Sequence, residues 1–131
     1  MNKEEYVKFS NAKRLKEKGF DWKVRMYYAE NGDILMDFPR NFNSDALHGG
    51  GERVSAPTQQ MVCRWLREEY YIDVLPLVRH VNKFAGELPI KEYSYRIYDS
   101  EGNVRVSSRD WFRAYEKSVE AALEYCLTNL I

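Results

Sequence analysis

The stretch Ser55–Val81, SAPTQQMVCRWLREEYYIDVLPLVRHV, decides the fold, because it reads as a capped amphipathic helix running into an apolar strand. Met61, Val62, Trp65, Leu66 and Tyr70 recur at helical spacing and predict an inward stripe, with Gln60, Arg64, Arg67 and Glu68 facing water. Pro57 suits the first helical turn, and either Ser55 or Thr58 can cap it. Ile72 to Val81 is β-rich. Pro76 within it cannot donate a ladder hydrogen bond, which predicts an edge strand or a bulge.

Upstream, the pattern disappears from Pro39 to Val54, PRNFNSDALHGGGERV, a stretch rich in Asn, Gly and charge. A loop of that length without structure of its own is usually functional or mobile. Before it, Trp22 to Phe38 reads as a hairpin turning at Glu30, Asn31, Gly32 and Asp33, since Asn-Gly between alternating apolar runs is a strong hairpin signal. The alternation predicts two core faces, Val24, Met26 and Tyr28 on the first strand and Ile34, Met36 and Phe38 on the second. Tyr6, Val7 and Phe9 predict a short edge strand. Ser10 then caps a helix over Asn11–Lys18, closed by Gly19 with Phe20 folding back on Leu15.

Downstream, EYSYRIYDSEGNVRVSS is a second hairpin with its turn around Ser100, Glu101, Gly102 and Asn103. Tyr93, Tyr95 and Ile97 alternate with Ser94, Arg96 and Tyr98, so one face packs while the other stays wet. Tyr115 to Leu130 is an amphipathic helix with Tyr115, Val119, Ala122, Leu123, Cys126 and Leu130 on its apolar face. Glu116, Glu120 and Glu124 fall on the opposite face, toward solvent. Hairpins joined by a few helices predict an α+β fold: a mainly antiparallel sheet built from two hairpins plus a central strand, with about three helices packed mostly on one face. Residues 1–131 are read as one globular domain with a long irregular loop at about 39–56.

Composition narrows the function classes. Lys plus Arg and Asp plus Glu are twenty each, so the net charge is zero, whereas a broad phosphate-gripping surface carries a positive excess. No apolar run reaches the ~20 residues of a membrane span. The opening MNKEEYVKFS lacks the apolar core of a secretory signal, and Cys63 and Cys126 sit inside helical patterns without metal-ligand spacing. These features predict a soluble cytoplasmic chain with reduced, buried thiols.

Four motifs bear on chemistry. His48-Gly49-Gly50-Gly51 matches the oxyanion-hole run of esterases, but no GxSxG elbow accompanies it, so the glycines read as loop. His80, far from any second ligand, reads as a surface residue at a strand end. Glu68, Glu69 and Asp73 after Arg64 and Arg67 read as solvated i to i+4 pairs. A local basic bias is the last: Met1 to Arg25 holds eight Lys or Arg against four acids, and Arg96, Tyr98, Arg105, Arg109 and Trp111 interleave cations with rings that can stack bases.

The segments EEYVKFSNAKRLKEKGF, SAPTQQMVCRWLREEYYIDV and YEKSVEAALEYCLTNLI together resemble small uncharacterised bacterial proteins often associated with phages and prophages. The resemblance covers somewhat under half the chain. It implies a small intracellular protein of unassigned function and carries over no site residues. One departure is Ala114, where a Ser or Thr cap is usual.

The expectation is a non-catalytic interaction or accessory protein, without cofactor or metal, whose partner is another protein. Its contact residues are expected in the loop, at Asn41, Phe42, His48 and Arg53. The alternative is a nucleic-acid-binding accessory factor using Arg96, Tyr98, Arg105, Arg109 and Trp111, and the third is a small enzyme without a recognisable motif. No membrane contact is expected, and oligomeric state is left open.

Overall fold

The computed structural model describes residues 5–44, 51–81, 86 and 88–131. In chain order the elements are α1 (Phe9–Glu17), β1 (Val24–Tyr28), β2 (Ile34–Arg40), β3 (Val54–Ser55), α2 (Gln59–Tyr70), β4 (Asp73–Val81), β5 (Ile90–Tyr98), β6 (Val104–Ser107) and α3 (Tyr115–Tyr125), with a π-helical turn over Cys126–Leu130. The class is α+β. The strands, expected in one sheet, divide between two antiparallel sheets of order β2-β1-β3 and β4-β5-β6. Buried residues from both sheets and all three helices nevertheless form one cluster, around Leu15, Phe20, Phe42, Leu66, Ile97, Leu123 and Leu127.

Local chemistry accounts for most boundaries. Thr58, not Ser55, caps α2: its Oγ1 accepts from the Met61 N–H at 3.2 Å. Ser55 pairs with Tyr27 in β3 instead. Pro57 lies ahead of the helix, where its carbonyl accepts the Val7 N–H at 3.0 Å. Val62, Trp65 and Leu66 are buried as the spacing predicts, with Gln59 beside them. Tyr71 ends α2 at φ 55°, a left-handed position that Gly or Asn usually takes.

The α1 terminus closes as expected. The Phe20 N–H reaches the Leu15 carbonyl at 3.0 Å and the Gly19 N–H reaches Lys16 at 3.1 Å, the two bonds of a Schellman end. Its start differs: the helix begins at Phe9, Ser10 lies inside it, and Lys8 at the cap makes no side-chain bond. In place of the expected edge strand, Tyr6 makes an isolated bridge to Thr58.

Both hairpins turn where glycine permits a positive φ, Gly32 at 89° and Gly102 at 79°. Val24, Met26 and Tyr28 are buried on β1. The expected inward face of β2 is not: Met36 is 65% and Phe38 81% exposed. Two causes combine. Strand β2 is the sheet edge, whereas α1 packs on the β3 side. A bulge also intervenes, because Val24 pairs with Arg40 and Met26 with Met36, leaving Asp37–Pro39 across from Arg25 alone.

In the second sheet, β4 pairs with β5 along its whole length and Pro76 lies on the edge strand, as predicted. Helix α3 covers β5 and β4 on one face. The largest departure in α3 is Glu120, expected in solvent and found buried. Its carboxylate accepts from the Lys8 N–H at 2.7 Å, the Asn11 side-chain amide at 2.9 Å and the Gln59 side-chain amide at 2.7 Å. Glu120 thereby supplies the N-terminal cap that α1 lacks locally, at the end of the helix dipole that favours negative charge.

Candidate functional site

The segment between β2 and β3 begins as a hydrogen-bonded turn. Asn41 Oδ1 accepts from the Asn43 N–H at 3.0 Å, and its carbonyl accepts from the Ser44 hydroxyl at 3.0 Å. Asn43 ties the turn to the body, donating to the Phe20 carbonyl at 2.9 Å and accepting from the Ser55 N–H at 2.8 Å. Phe42 between them is fully buried, its N–H donating to Ser55 Oγ at 3.1 Å and its ring 4.7 Å from that of Tyr27. Phe42, expected at a contact surface, is therefore a core residue: the turn leaves its ring no direction except inward. His48 lies outside the described residues.

The two arginines of this region converge on one carboxylate. Arg40 Nη2 is 2.6 Å and Arg53 Nη1 3.9 Å from Asp37 Oδ2. Each guanidinium also covers one ring of the tilted Tyr27–Phe42 pair, Arg40 over Phe42 at 5.3 Å and Arg53 over Tyr27 at 4.9 Å. Asp37 Oδ1 further accepts from the Phe38 N–H at 2.7 Å. That hydrogen bond first, and then Arg40 and Arg53, hold the Asp37 carboxyl below its ordinary range. The arrangement clamps the β2 bulge and leaves Phe38 projecting beside Pro39.

Exposed apolar side chains on β2 are what the sequence reading missed: Leu35 at 45%, Met36 at 65% and Phe38 at 81%. The signal was Pro39. A proline inside a strand argues for an edge, and an edge strand has fewer neighbours to cover its side chains.

The five residues of the basic and aromatic patch lie on β5, on β6 and in the segment that follows β6. Arg96 and Tyr98 share the helix-free face of the second sheet with their cross-strand partners Leu75 and Asp73. Trp111 is already covered by the Arg79 guanidinium at 4.2 Å, and Arg79 is bound to Glu92 at 2.9 Å. Arg105 lines a separate cleft with Asp99 and Glu101, while Arg109 is exposed. Three of the N-terminal cations are also engaged: Lys16 with Glu52 at 2.6 Å, Arg14 with Glu124 at 3.5 Å, and Lys18 with the Ile131 carbonyl at 2.7 Å.

A groove of about 660 Å³ runs between α2, α3 and β4 and is lined in part by Gln60, Cys63, Arg67, Tyr115 and Glu116. Burial pushes the Cys63 thiol up to about 11 and that of Cys126 to about 12, so both remain protonated at neutral pH and neither is a poised nucleophile. His80 is exposed on β4, and Arg64 pairs with Glu68 at 2.9 Å in the i to i+4 manner expected. Among the described residues, no group of three or more His, Cys, Asp or Glu side chains could hold a metal ion, and no helix is long and apolar enough to cross a membrane.

Comparison of the chain with models of known families, with curated proteins and with solved structures found no match.

Proposed function

We propose that this protein is a non-catalytic interaction module that docks a partner protein through the edge strand β2 and its bulge. The observation that carries this reading is Phe38, 81% exposed on a bulge whose Asp37 carboxylate takes Arg40 Nη2 at 2.6 Å and lies 3.9 Å from Arg53 Nη1. A held backbone presenting an aromatic side chain suits an anchor for an apolar pocket, because little ordering entropy remains to be lost on binding. Met36 adds a second exposed apolar side chain to the strand, and Leu35 adds one on the opposite face. Relative to the sequence-based expectation, the contact residues move from Phe42 to Phe38, four positions earlier.

Two further observations favour this reading over the alternatives. A nucleic-acid surface draws on Arg96 and Tyr98, but their sheet face also carries Asp73 and Glu92, and the ring of Trp111 is occupied by Arg79. An enzyme calls for convergent groups with perturbed titration, and the two thiols are shifted away from reactivity. The test is co-purification from the native cell with wild-type protein and a Met36→Ser/Phe38→Ser variant. Partners lost from a variant that remains folded support the proposal, and an unchanged set of partners overturns it.

A further inference from the structure

Sulfur chemistry sets one residue of β2 apart. The chain has four methionines and two cysteines, and the structure describes all of these but Met1. Met26 faces the interior on β1 and is 5% exposed, whereas Met36, paired with it on β2, is 65% exposed. Met61 is partly buried against the core. The two thiols are closed to peroxides in another way: burial raises Cys63 to about 11 and Cys126 to about 12, and a protonated thiol is a poor nucleophile.

Strand geometry explains why Met36 stays open. The Met26 carbonyl accepts from the Ala56 N–H at 2.9 Å, so the main chain of Met26 turns toward β3. Met36 opposite it turns its own main-chain groups to the outer edge. Among the described residues no further strand lies on that side, and just beyond Met36 the Asp37–Pro39 bulge breaks the regular pairing.

We infer, on the reading that β2 is the docking strand, that Met36 is a peroxide-sensitive site whose oxidation switches that docking off. Hydrogen peroxide transfers one oxygen atom to the thioether: an S–O bond forms, the O–O bond breaks, sulfur loses two electrons and the rest of the peroxide leaves as water. A dithiol reductase reverses the step with two electrons and two protons, releasing the oxygen as water. The sulfoxide puts a strong acceptor where the apolar sulfur stood. Docking must then bury that oxygen against an apolar partner surface, which opposes binding. Because the side chain already stands in water, its oxidation leaves the core packing untouched.

The first measurement is peptide mapping by mass spectrometry after graded exposure of the folded protein to hydrogen peroxide. Sulfoxide is expected to form about tenfold faster at Met36 than at Met26, with the unfolding midpoint unchanged. The second is capture of the partner from dialysed native lysate on peroxide-treated wild type, on treated wild type restored with methionine sulfoxide reductases, and on treated Met36→Leu, each set against its own untreated bait. Treated wild type is expected to recover about tenfold less partner, restored wild type to recover it fully, and Met36→Leu to show no change on treatment. Met26 oxidised as fast as Met36, a treated wild type that keeps its partner, or an equal loss in treated Met36→Leu would each overturn the inference. The Met36→Ser/Phe38→Ser bait separates the two readings. If it recovers the partner in full, docking through β2 fails and the switch with it; if it loses the partner while treated wild type still binds, the switch alone fails.

Discussion

Gln59 Nε2 donates to Glu120 Oε2 at 2.7 Å in the interior, joining α2 to α3. The same carboxylate holds the start of α1 through Lys8 and Asn11, so three helices meet on one side chain. Asn11 is itself oriented by Arg14, whose Nη1 donates to Asn11 Oδ1 at 3.0 Å and leaves the amide nitrogen facing Glu120.

Glu120→Gln is the sharpest test of that junction. The substitution keeps the shape but replaces an acceptor oxygen by an NH₂ group that faces N–H donors, leaving buried donors unpaired. A loss of roughly 1–3 kcal/mol is expected, read as a lower midpoint in urea unfolding. An unchanged midpoint would mean that the carboxylate does not hold the helices together.

Phe42 and Phe38 differ in the opposite sense from their sequence pattern. Phe42→Ala removes a fully buried ring and is expected to cost about 3–5 kcal/mol. Phe38→Ala, at 81% exposure, is expected to change stability by no more than ~0.5 kcal/mol. Unfolding curves for the two variants decide it, and equal losses would contradict the placement of both residues.

The thiols give stability a defined pH dependence. Burial raises both above the ordinary value of 9.0, to about 11 for Cys63 and about 12 for Cys126. Their unfolded forms therefore release protons first as pH rises. Their contribution is fully present below pH 9 and declines through the interval up to those raised values. Cys126→Ala is expected to flatten the alkaline fall in unfolding midpoint, after allowance for the lost side-chain volume. A fall as steep as that of wild type would place its origin elsewhere.

What the sequence disclosed was what neighbouring residues decide. Asn31-Gly32, Gly102, the Gly19-Phe20 closure and the Val62-Trp65-Leu66 stripe each depend on a few adjacent positions, and each stands where the spacing placed it. The misplaced residues depend on distant ones. Glu120 looked wet on a helical wheel because its donor at Lys8 is 112 residues away. Met36 and Phe38 looked buried because alternation assumes an unbroken strand with a covered face, whereas the bulge and the edge position set their exposure. The division into two sheets was hidden for the same reason, since strand pairing between hairpins leaves little local trace. Phe42 was misread because nothing local reveals that Ser55 and Tyr27 receive it.

Docking through β2 is tested most directly by quantitative co-purification from native cells of wild-type protein beside Met36→Ser/Phe38→Ser, with unfolding midpoints taken on the same samples. The expected result is a variant as stable as wild type that recovers little of the partner. Full recovery of the partner by the variant would contradict the account.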